Sequence, residues 1–383
     1  MKNYLLSFSL FWVLISCSNP KEVYVTDCAE PLYRVEMPTL TDTSTFRYSE
    51  LFSDVRYVTL ESSSYDAIIG HIAGLEICNN KDLIILDGKT KKVARFDSSG
   101  HFLNLIGTHG HGPGEYINPI SIAYDKYENQ VIIGDWFTKK LLYYQLNGKH
   151  VKTLPLSANM EKLKVIDKNH ILTFSNYRMA DFNYYIFDTQ GNEVARFDSI
   201  MRHEKDDISS ASTFSICYGD EGSLICRPTF SSIIYKVKDC HVSPFIEIVP
   251  NDDSWRIGRP EDLHQAIQKE KTSYLNTAIL VNNKLIMTGY LSAMGRVCFL
   301  YSDLHNETRG GTRIINDLLG AKKYDLYLQN TNKEIYYTIR PEECQALLDS
   351  WKDRTDIPLK DRELVTRMAN SINPIIQICT VKD

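Results

Sequence analysis

The feature that most restricts the fold of this chain is an internal repeat with a spacing of 48 residues. Residues 84–100 align with residues 132–148, so that Asp87 matches Asp135 and Gly100 matches Gly148. A third copy, residues 184–191, follows 43 residues further on and keeps the aromatic residue, the two-residue spacer and the glycine. Periods in the forties with several short strands per unit are typical of β-propellers, in which each unit is one four-stranded blade.

Each repeat unit divides into short runs of β-branched and aromatic residues separated by turns. In the first unit these runs are Leu75–Cys78, Leu83–Leu86, Val93–Asp97 and Phe102–Ile106. Asparagine and glycine in the separators supply the positive φ that tight hairpins need. A glycine just before the fourth run in all three copies predicts a recurring hairpin between the third and fourth strands.

The same rhythm predicts an all-β, six-bladed β-propeller with small helical insertions. Further blades are expected at residues 120–154, 162–197, 213–248 and 276–308. The last blade is expected to combine residues 324–338 with terminal strands at 55–60 and 375–381, because an open sheet edge invites aggregation. Helices are expected at residues 260–271, 341–351 and 361–368, and the first and second of these begin with proline.

The N-terminus predicts export and lipid attachment. An apolar run from Tyr4 to Ser16 follows a single lysine and is shorter than the ~20 residues that span a bilayer. The sequence Leu14-Ile15-Ser16-Cys17 resembles the lipobox of bacterial lipoproteins, in which the cysteine is acylated; the alternative is an ordinary secretory signal. Ser18 resembles outer-membrane sorting signals and leaves the periplasmic face and the cell surface both open. The expected organisation is a signal peptide (1–16), a lipidated tether rich in polar residues (17–43) and one propeller domain (44–383).

Residues 84–154 resemble NHL-type repeats. They contain the strands that end in aspartate, the Lys-Lys pairs and the glycine-rich motif at 106–116. Together with the lipobox and Asn373-Pro374-Ile375-Ile376, these motifs are similar to NHL-like or TolB-like six-bladed propeller lipoproteins of Gram-negative gut bacteria. The resemblance implies an architecture and a location in the cell envelope, but no reaction.

Charge and cysteine content exclude some classes of function. The net charge is −5, and it becomes −6 when residues 1–16, which carry one lysine, are removed. Without a basic block, the chain is a poor candidate for binding nucleic acid. Eight cysteines follow Cys17 without zinc-type spacing and are expected to be buried small hydrophobes. Cys217 and Cys226, on neighbouring strands, are the expected pair if a disulfide forms.

The strand-ending aspartates and the glycine-rich motif can each be interpreted as structural or as functional. Asp87 and Asp135 end strands and are expected to cap the following turns. The glycine-rich motif leads to a strand rather than a helix, so it is expected to connect two blades rather than bind phosphate. Within it, His109 and His111 lie near Glu115; these three side chains are either solvated or a metal site that lines a ligand opening.

Aromatic residues give the remaining functional indication. The candidates for ligand binding are Trp136, Tyr177, Arg178 and Trp255, which lie in segments that look exposed. Aromatic and arginine side chains on loops suit recognition of sugars or peptides. The alternative is that these aromatic residues pack between blades.

We therefore predict a lipid-anchored module of the cell envelope that binds or scaffolds a glycan, a peptide or a partner protein. The alternative is a propeller hydrolase or lyase with a divalent metal in the central channel, which rests on analogy of fold. No Gly-x-Ser-x-Gly motif or other catalytic set occurs, so no catalytic residue and no cofactor are assigned.

Overall fold

The computed structural model contains six sheets arranged as the blades of a propeller; four of them have four strands, and two have a fifth strand from the N-terminal segment. It describes residues 21–22, 30–175, 182–199, 215–219, 222–228, 231–251, 255, 273–291, 294–305, 308–318, 326–331 and 333–383. Four short strands precede the first blade: β1 (Lys21–Glu22), β2 (Tyr33–Glu36), β3 (Thr45–Arg47) and β4 (Phe52–Thr59).

The first three blades each consist of four consecutive antiparallel strands. Blade 1 contains β5 (Ile72–Ile77), β6 (Leu83–Asp87), β7 (Lys92–Phe96) and β8 (Phe102–Leu105). Blade 2 contains β9 (Pro119–Asp125), β10 (Gln130–Asp135), β11 (Lys140–Gln145) and β12 (His150–Pro155). Blade 3 contains β13 (Lys162–Val165), β14 (His170–Phe174), β15 (Phe182–Asp188) and β16 (Glu193–Ser199).

The remaining blades follow the same order, and the last uses both ends of the chain. Blade 4 contains β17 (Ser215–Tyr218), β18 (Leu224–Arg227), β19 (Ile233–Lys238) and β20 (His241–Val249). Blade 5 contains β21 (Tyr274–Val281), β22 (Lys284–Leu291), β23 (Arg296–Ser302) and β24 (Arg309–Gly311), and β25 (Arg313–Ile315) follows it. Blade 6 contains β26 (Leu326–Asn330), β27 (Glu334–Ile339), β28 (Ile375–Val381) and, outermost, β4.

Blade 6 closes the ring as the sequence predicts. Strand β4 pairs antiparallel with β28, with Thr59 opposite Ile375. Asn373, fully buried just before β28, reinforces this junction. Its Oδ1 accepts a hydrogen bond from the backbone N–H of Ile69 at 2.7 Å, and its Nδ2 donates to the carbonyl of Ala67 at 2.9 Å. The two ends of the chain are thus joined by sheet pairing and by a buried amide.

The N-terminal segment contributes more to the fold than the tether boundary at residue 43 predicts. Strand β2 lies within the expected tether, yet it pairs parallel with β20 as a fifth strand of blade 4. Val35 and Met37 are buried there, and Tyr33 is half-buried. Proline and polar residues dominate the composition of this segment, but the alternating apolar residues satisfy one face of a sheet edge.

The recurring hairpin glycine is explained by contacts between successive blades. Gly100 and Gly148 have φ of +90° and +86°. A Cβ atom at Gly100 would lie 2.3 Å from the carbonyl oxygen of Thr59, and one at Gly148 would lie 2.4 Å from that of Leu105. Each of these oxygens belongs to the last residue of the outermost strand of the preceding blade, so glycine permits close stacking of the blades.

The helices form a small unit between β27 and β28. They span Pro341–Ser350 and Leu359–Ala369, which confirms two of the three predicted helices; residues 260–271 lie outside the described residues. Trp351 and Val365 are buried where the two helices pack. A one-turn helix (Tyr48–Leu51) and a 3₁₀ turn (Tyr65–Ala67) complete the described helical structure. No helix in the described part of the chain has the length and apolar character needed to cross a bilayer.

The cysteines behave as buried apolar residues. Seven of them lie in the described ranges, none of these is in a disulfide, and all but Cys240 are buried. The expected pairing of Cys217 with Cys226 is wrong because of the strand register. Cys217 lies opposite Ile225 and Cys226 opposite Ile216, so the two thiols project from opposite faces of the sheet.

Candidate functional site

A cavity of about 650 Å³ lies where the innermost strands of five blades end. We call this side of the propeller the end face, and the side on which innermost strands begin the start face. The volume falls within the range of about 300 to 1,000 Å³ that is usual for small-molecule sites. The lining residues come mainly from the ends of β5, β9, β13, β17 and β26 and the turns that follow them: Glu76, Ile77, Cys78, Asn79, Lys81, Tyr124, Lys126, Tyr127, Val165, Tyr218, Gly219, Gly222, Asn330, Thr331, Lys333, Glu334 and Thr380.

Three polar side chains from three blades meet at the inner side of the cavity. The ammonium group of Lys164 contacts Oε1 of Glu76 and lies 4.7 Å from the ring centroid of Tyr218. The Tyr218 hydroxyl donates to Oε2 of Glu76 at 3.4 Å. Burial and the Glu76 charge raise the pKa of Tyr218 well above its usual value, so the hydroxyl remains a neutral donor.

Two more residues extend this polar group within the ring. The Nδ2 atom of Asn330 donates to the carbonyl of Tyr218 at 2.8 Å and so joins blade 6 to blade 4. Lys162 lies at the start of β13, and its side chain is accessible to water. The surrounding protein atoms still reduce its solvation, and this effect together with the charge of Lys164 lowers its pKa. The channel therefore presents buried polar groups drawn from several blades.

The lining of the cavity carries an excess of positive charge. Three lysines, Lys81, Lys126 and Lys333, line it together with two glutamates. Both glutamates already have cationic partners, because Glu76 contacts Lys164 and Oε1 of Glu334 lies 3.0 Å from Nη2 of Arg56. Lys333 is paired as well, with its ammonium 3.1 Å from Oδ1 of Asp383, so the excess positive charge comes from Lys81 and Lys126. An acidic protein therefore presents a basic opening at this point, which favours a ligand that carries negative charge.

Tyrosines form the apolar part of the cavity wall. Tyr127 is the most accessible, at 45% exposure, and the ammonium of Lys126 lies 5.2 Å from its ring centroid. The hydroxyl of Tyr124 donates to Oδ1 of Asn129 at 2.7 Å, which fixes its ring. Flat rings beside basic groups suit ligands with apolar faces and charged edges.

The residues predicted from the glycine-rich motif lie away from this cavity. His109 and His111 are exposed in the connection between blades 1 and 2. The Tyr144 hydroxyl donates to the Gly114 carbonyl at 2.8 Å, and Gly114 packs against His150 in an outermost strand. These histidines therefore do not line the cavity, and their predicted role in ligand binding stays a prediction, whereas the expected role of the motif as a connection between blades is confirmed.

The metal interpretation of this motif finds no support in its geometry. The Glu115 carboxylate accepts a hydrogen bond from the Gly112 N–H at 2.7 Å, which ties it to its own turn. Among the described residues, the donor atoms of three His, Cys or acidic side chains converge elsewhere, at Asp167, His170 and Cys240.

The structure does not bring the other predicted residues together. Trp136 is half-buried in a turn on the start face, beside the exposed Phe137. Trp255 is only 7% exposed and belongs to a core cluster, so its expected exposure is wrong. Tyr177, Arg178 and Cys17 lie outside the described residues.

The two strand-ending aspartates cap turns as predicted. Oδ1 of Asp87 accepts from the backbone N–H groups of His71 and Lys89 at 3.0 and 2.9 Å. Oδ2 of Asp135 accepts from the N–H of Ile117 at 2.6 Å. These carboxylates fix the turns of the start face and do not form a ring of metal ligands.

Glu76 and Lys164 were not identified from the sequence, although each carries a detectable signal. Both are charged residues between apolar neighbours in the first predicted strand of a blade, in Leu75-Glu76-Ile77 and Leu163-Lys164-Val165. Opposite charges in two such strands indicate a buried ion pair across the channel.

Comparisons with known proteins agree with this architecture. Residues 32–380 match the model of a family described as domain of unknown function (DUF4934). An exported protein of Bacteroides fragilis is 16% identical with a TM-score of 0.69, and the match covers 92% of this chain and 99% of that one. A DUF4221 family member of Bacteroides vulgatus is 10% identical with a TM-score of 0.54, covering 87% and 97%. No curated protein matches. At these identities the similarity shows the propeller fold alone.

Proposed function

We propose that this chain, which belongs to the DUF4934 family, is a binding module of the cell envelope whose ligand occupies the cavity on the end face. The observation that carries the proposal is the open cavity on the end face, with tyrosine walls, a basic rim and a buried polar group at its inner side. Envelope location is supported by the N-terminal signal and the lipobox-like Cys17, which would anchor the domain to the outer membrane.

The ligand class that fits best is an acidic glycan. Sugar rings have apolar faces that stack on aromatic side chains, and Tyr127 offers such a face at the opening. Carboxylates on the same ligand would pair with the rim lysines Lys81 and Lys126. A neutral glycan would leave this charge unused, and the net charge of −5 argues against nucleic acid.

A binding role accounts for the channel residues better than the activity of a metal-dependent hydrolase or lyase does. A divalent metal there would need several acids aimed at one point. Two acids lie in the described innermost strands, Glu76 and Asp125. Glu76 is neutralised by Lys164, and Asp125 accepts the N–H of Tyr127 at 2.9 Å as a turn cap. The described strands therefore offer buried polar contacts rather than a metal cage.

Calorimetry with matched sugars tests the proposal. The domain from Ser18 onward would be titrated with trigalacturonate and, as the neutral control, with maltotriose. We expect the acidic sugar to bind more tightly and its affinity to fall with salt. Lys126→Ala should weaken binding about tenfold, because a charged hydrogen bond is lost. Lys360→Ala, at an exposed position of the helix Leu359–Ala369, should leave binding unchanged. Equal binding of both sugars, or no effect of Lys126→Ala, would contradict the ligand assignment.

Lipid anchoring has a separate test. Metabolic labelling with a radioactive fatty acid should mark the wild-type chain and not a Cys17→Ala variant. Membrane fractionation should then release the variant. Continued labelling of Cys17→Ala would refute the anchor without affecting the cavity.

A further inference from the structure

Three potential metal-binding side chains from two blades converge on the end face. Asp167 and His170 lie in and next to the turn between β13 and β14 in blade 3, and Cys240 lies in the turn between β19 and β20 in blade 4. Their donor atoms lie within 4.8 Å of one another, and all three side chains are half-buried. The donors belong to different supersecondary units, so their meeting depends on how the two blades pack.

We propose that Asp167, His170 and Cys240 bind one divalent cation of the zinc class. Thiolate and imidazole donors favour Zn²⁺ over the oxygen-seeking Ca²⁺ and Mg²⁺. Three protein ligands would leave the fourth tetrahedral position to water or to a ligand from outside. The site is distinct from the residues that carry the proposed glycan binding.

The distances fit a site that closes on its ion. Nδ1 of His170 lies 3.0 Å from each carboxylate oxygen of Asp167. A tetrahedral zinc ion with bonds of about 2.0 to 2.3 Å holds its donors roughly 3.5 Å apart. The Asp167–His170 pair already has nearly that spacing, and because no pair is more than 4.8 Å apart, none has to close by more than about 1.3 Å. The side chains of Asp167 and His170 are about a quarter exposed, so rotation can supply this movement.

Local hydrogen bonds hold the carboxylate in place. The backbone N–H of Asn169 donates to Oδ1 of Asp167 at 2.7 Å, and the N–H of Ile166 donates to the carbonyl of His170 at 2.9 Å. The first bond directs a carboxylate oxygen, and the second closes the turn that carries both donors. Supporting hydrogen bonds of this kind are usual around metal ligands.

The turn that carries Cys240 is an unusual place for cysteine. Asp239 and Cys240 have φ of 50° and 60°, in the left-handed region. A two-residue turn with the same backbone conformation joins β21 and β22 in blade 5, and its residues are Asn282 and Asn283, with φ of 50° and 57°. Asparagine and glycine suit these positions, whereas cysteine has no conformational reason to occupy one. The presence of cysteine here is therefore explained by its side chain, which packs against the core cluster of blades 3 and 4 and lies beside Asp167 and His170.

The electrostatic surroundings suit a cation. The Cys240 thiol lies beside the Asp167 carboxylate, and Asp239 is its neighbour in the chain. Burial and the charges of Asp167, Asp125 and Asp239 raise the pKa of Tyr127. A bound dication would offset this negative charge and stabilise the thiolate. Because Tyr127 lines the cavity, the ion would lie beside the cavity wall.

Metal analysis of the folded domain tests the site. The chain from Ser18 onward, in a Cys28→Ser background, would be stripped with chelator, loaded with Zn²⁺ and passed through gel filtration. We expect about one zinc per chain by elemental analysis, which follows from three ligands sharing one ion. Cys240→Ala and His170→Ala should lose it, and His241→Ala, an exposed histidine next to the same turn, should keep it. Equal zinc content in Cys240→Ala would overturn the proposal.

Two measurements use the wild-type site and therefore test the proposal even if the variants misfold. Co²⁺ loading should give a thiolate-to-cobalt charge-transfer band, and its absence would overturn the assignment of Cys240. Alkylation of Cys240 by iodoacetamide, followed by peptide mass spectrometry, should slow at least tenfold when Zn²⁺ is present. An unchanged alkylation rate would also overturn it.

Discussion

Replacing Lys164 with methionine should be among the most destabilising single substitutions in the channel. Glu76 is only 2% exposed, and Lys164 supplies the positive charge that its carboxylate contacts. Methionine keeps most of the side-chain volume but removes the ammonium group, which leaves the Glu76 carboxylate without its cationic contact. Two long hydrogen bonds remain, from the Tyr218 hydroxyl and from the backbone N–H of Tyr124, both at 3.4 Å. Loss of one partner from a buried ion pair costs about 3 to 5 kcal/mol. We expect Lys164→Met to lower the free energy of unfolding by about 4 kcal/mol.

Urea denaturation at pH 7, followed by tryptophan fluorescence and circular dichroism, measures this loss. The double variant Glu76→Gln/Lys164→Met removes both charges and should be more stable than the sum of the single effects predicts, by about 2 kcal/mol. Lys360→Met, at an exposed position of the helix Leu359–Ala369, controls for the general effect of removing a lysine. A loss below about 1 kcal/mol for Lys164→Met, with no coupling in the double variant, would refute the reasoning. It would mean that the Glu76 carboxylate is hydrated despite its burial.

Three further predictions concern ring closure and acid stability. Asn373→Ala should lower the free energy of unfolding by about 3 kcal/mol, because it leaves the Ile69 N–H without its acceptor; an equal urea midpoint for variant and wild type would contradict this. Deleting residues 375–383 removes β28, so the urea transition should lose cooperativity; a sharp transition would show that the ring closes without it. Burial raises the pKa of Asp87, but hydrogen bonds, led by that from the Gly70 N–H, outweigh this and lower it. Its stabilising effect is therefore complete above about pH 4 and lost as the pH falls further, and acid titration of Asp87→Asn should show a shallower decline than wild type.

The blades could be predicted because their signals are local. Turn residues such as Gly100 and strand-ending residues such as Asp87 recur at fixed offsets, and each reports the geometry of one hairpin. The closing strand at residues 375–381 followed from the general need to pair sheet edges. The part of the tether that forms β2 was missed, because its partner β20 lies about two hundred residues later and composition does not reveal such pairing.

The candidate site was predicted poorly because it depends on distant pairs. Glu76 and Lys164 are 88 residues apart, and only the ring brings them together. Trp255 was expected to be exposed because its neighbours are polar, but it is buried in a core cluster. The convergence of His170 and Cys240 likewise depends on how blades 3 and 4 pack, which no local spacing encodes.

The construction of blade 6 from both ends of the chain also governs the order in which the molecule can fold. Ile69 and Asn373, which meet at the junction, are 304 residues apart in sequence. Strand β4 emerges first from the ribosome or a translocation pore, but its partner β28 emerges last, so its edge stays open until synthesis is complete. Contacts of such long range carry a high loop-closure entropy and slow the rate-limiting step. A circular permutant that begins at β26 would bring the four strands of blade 6 close together in sequence, with only the segment that carries β1 to β3 between β28 and β4. It should fold faster than the natural order while reaching the same ring.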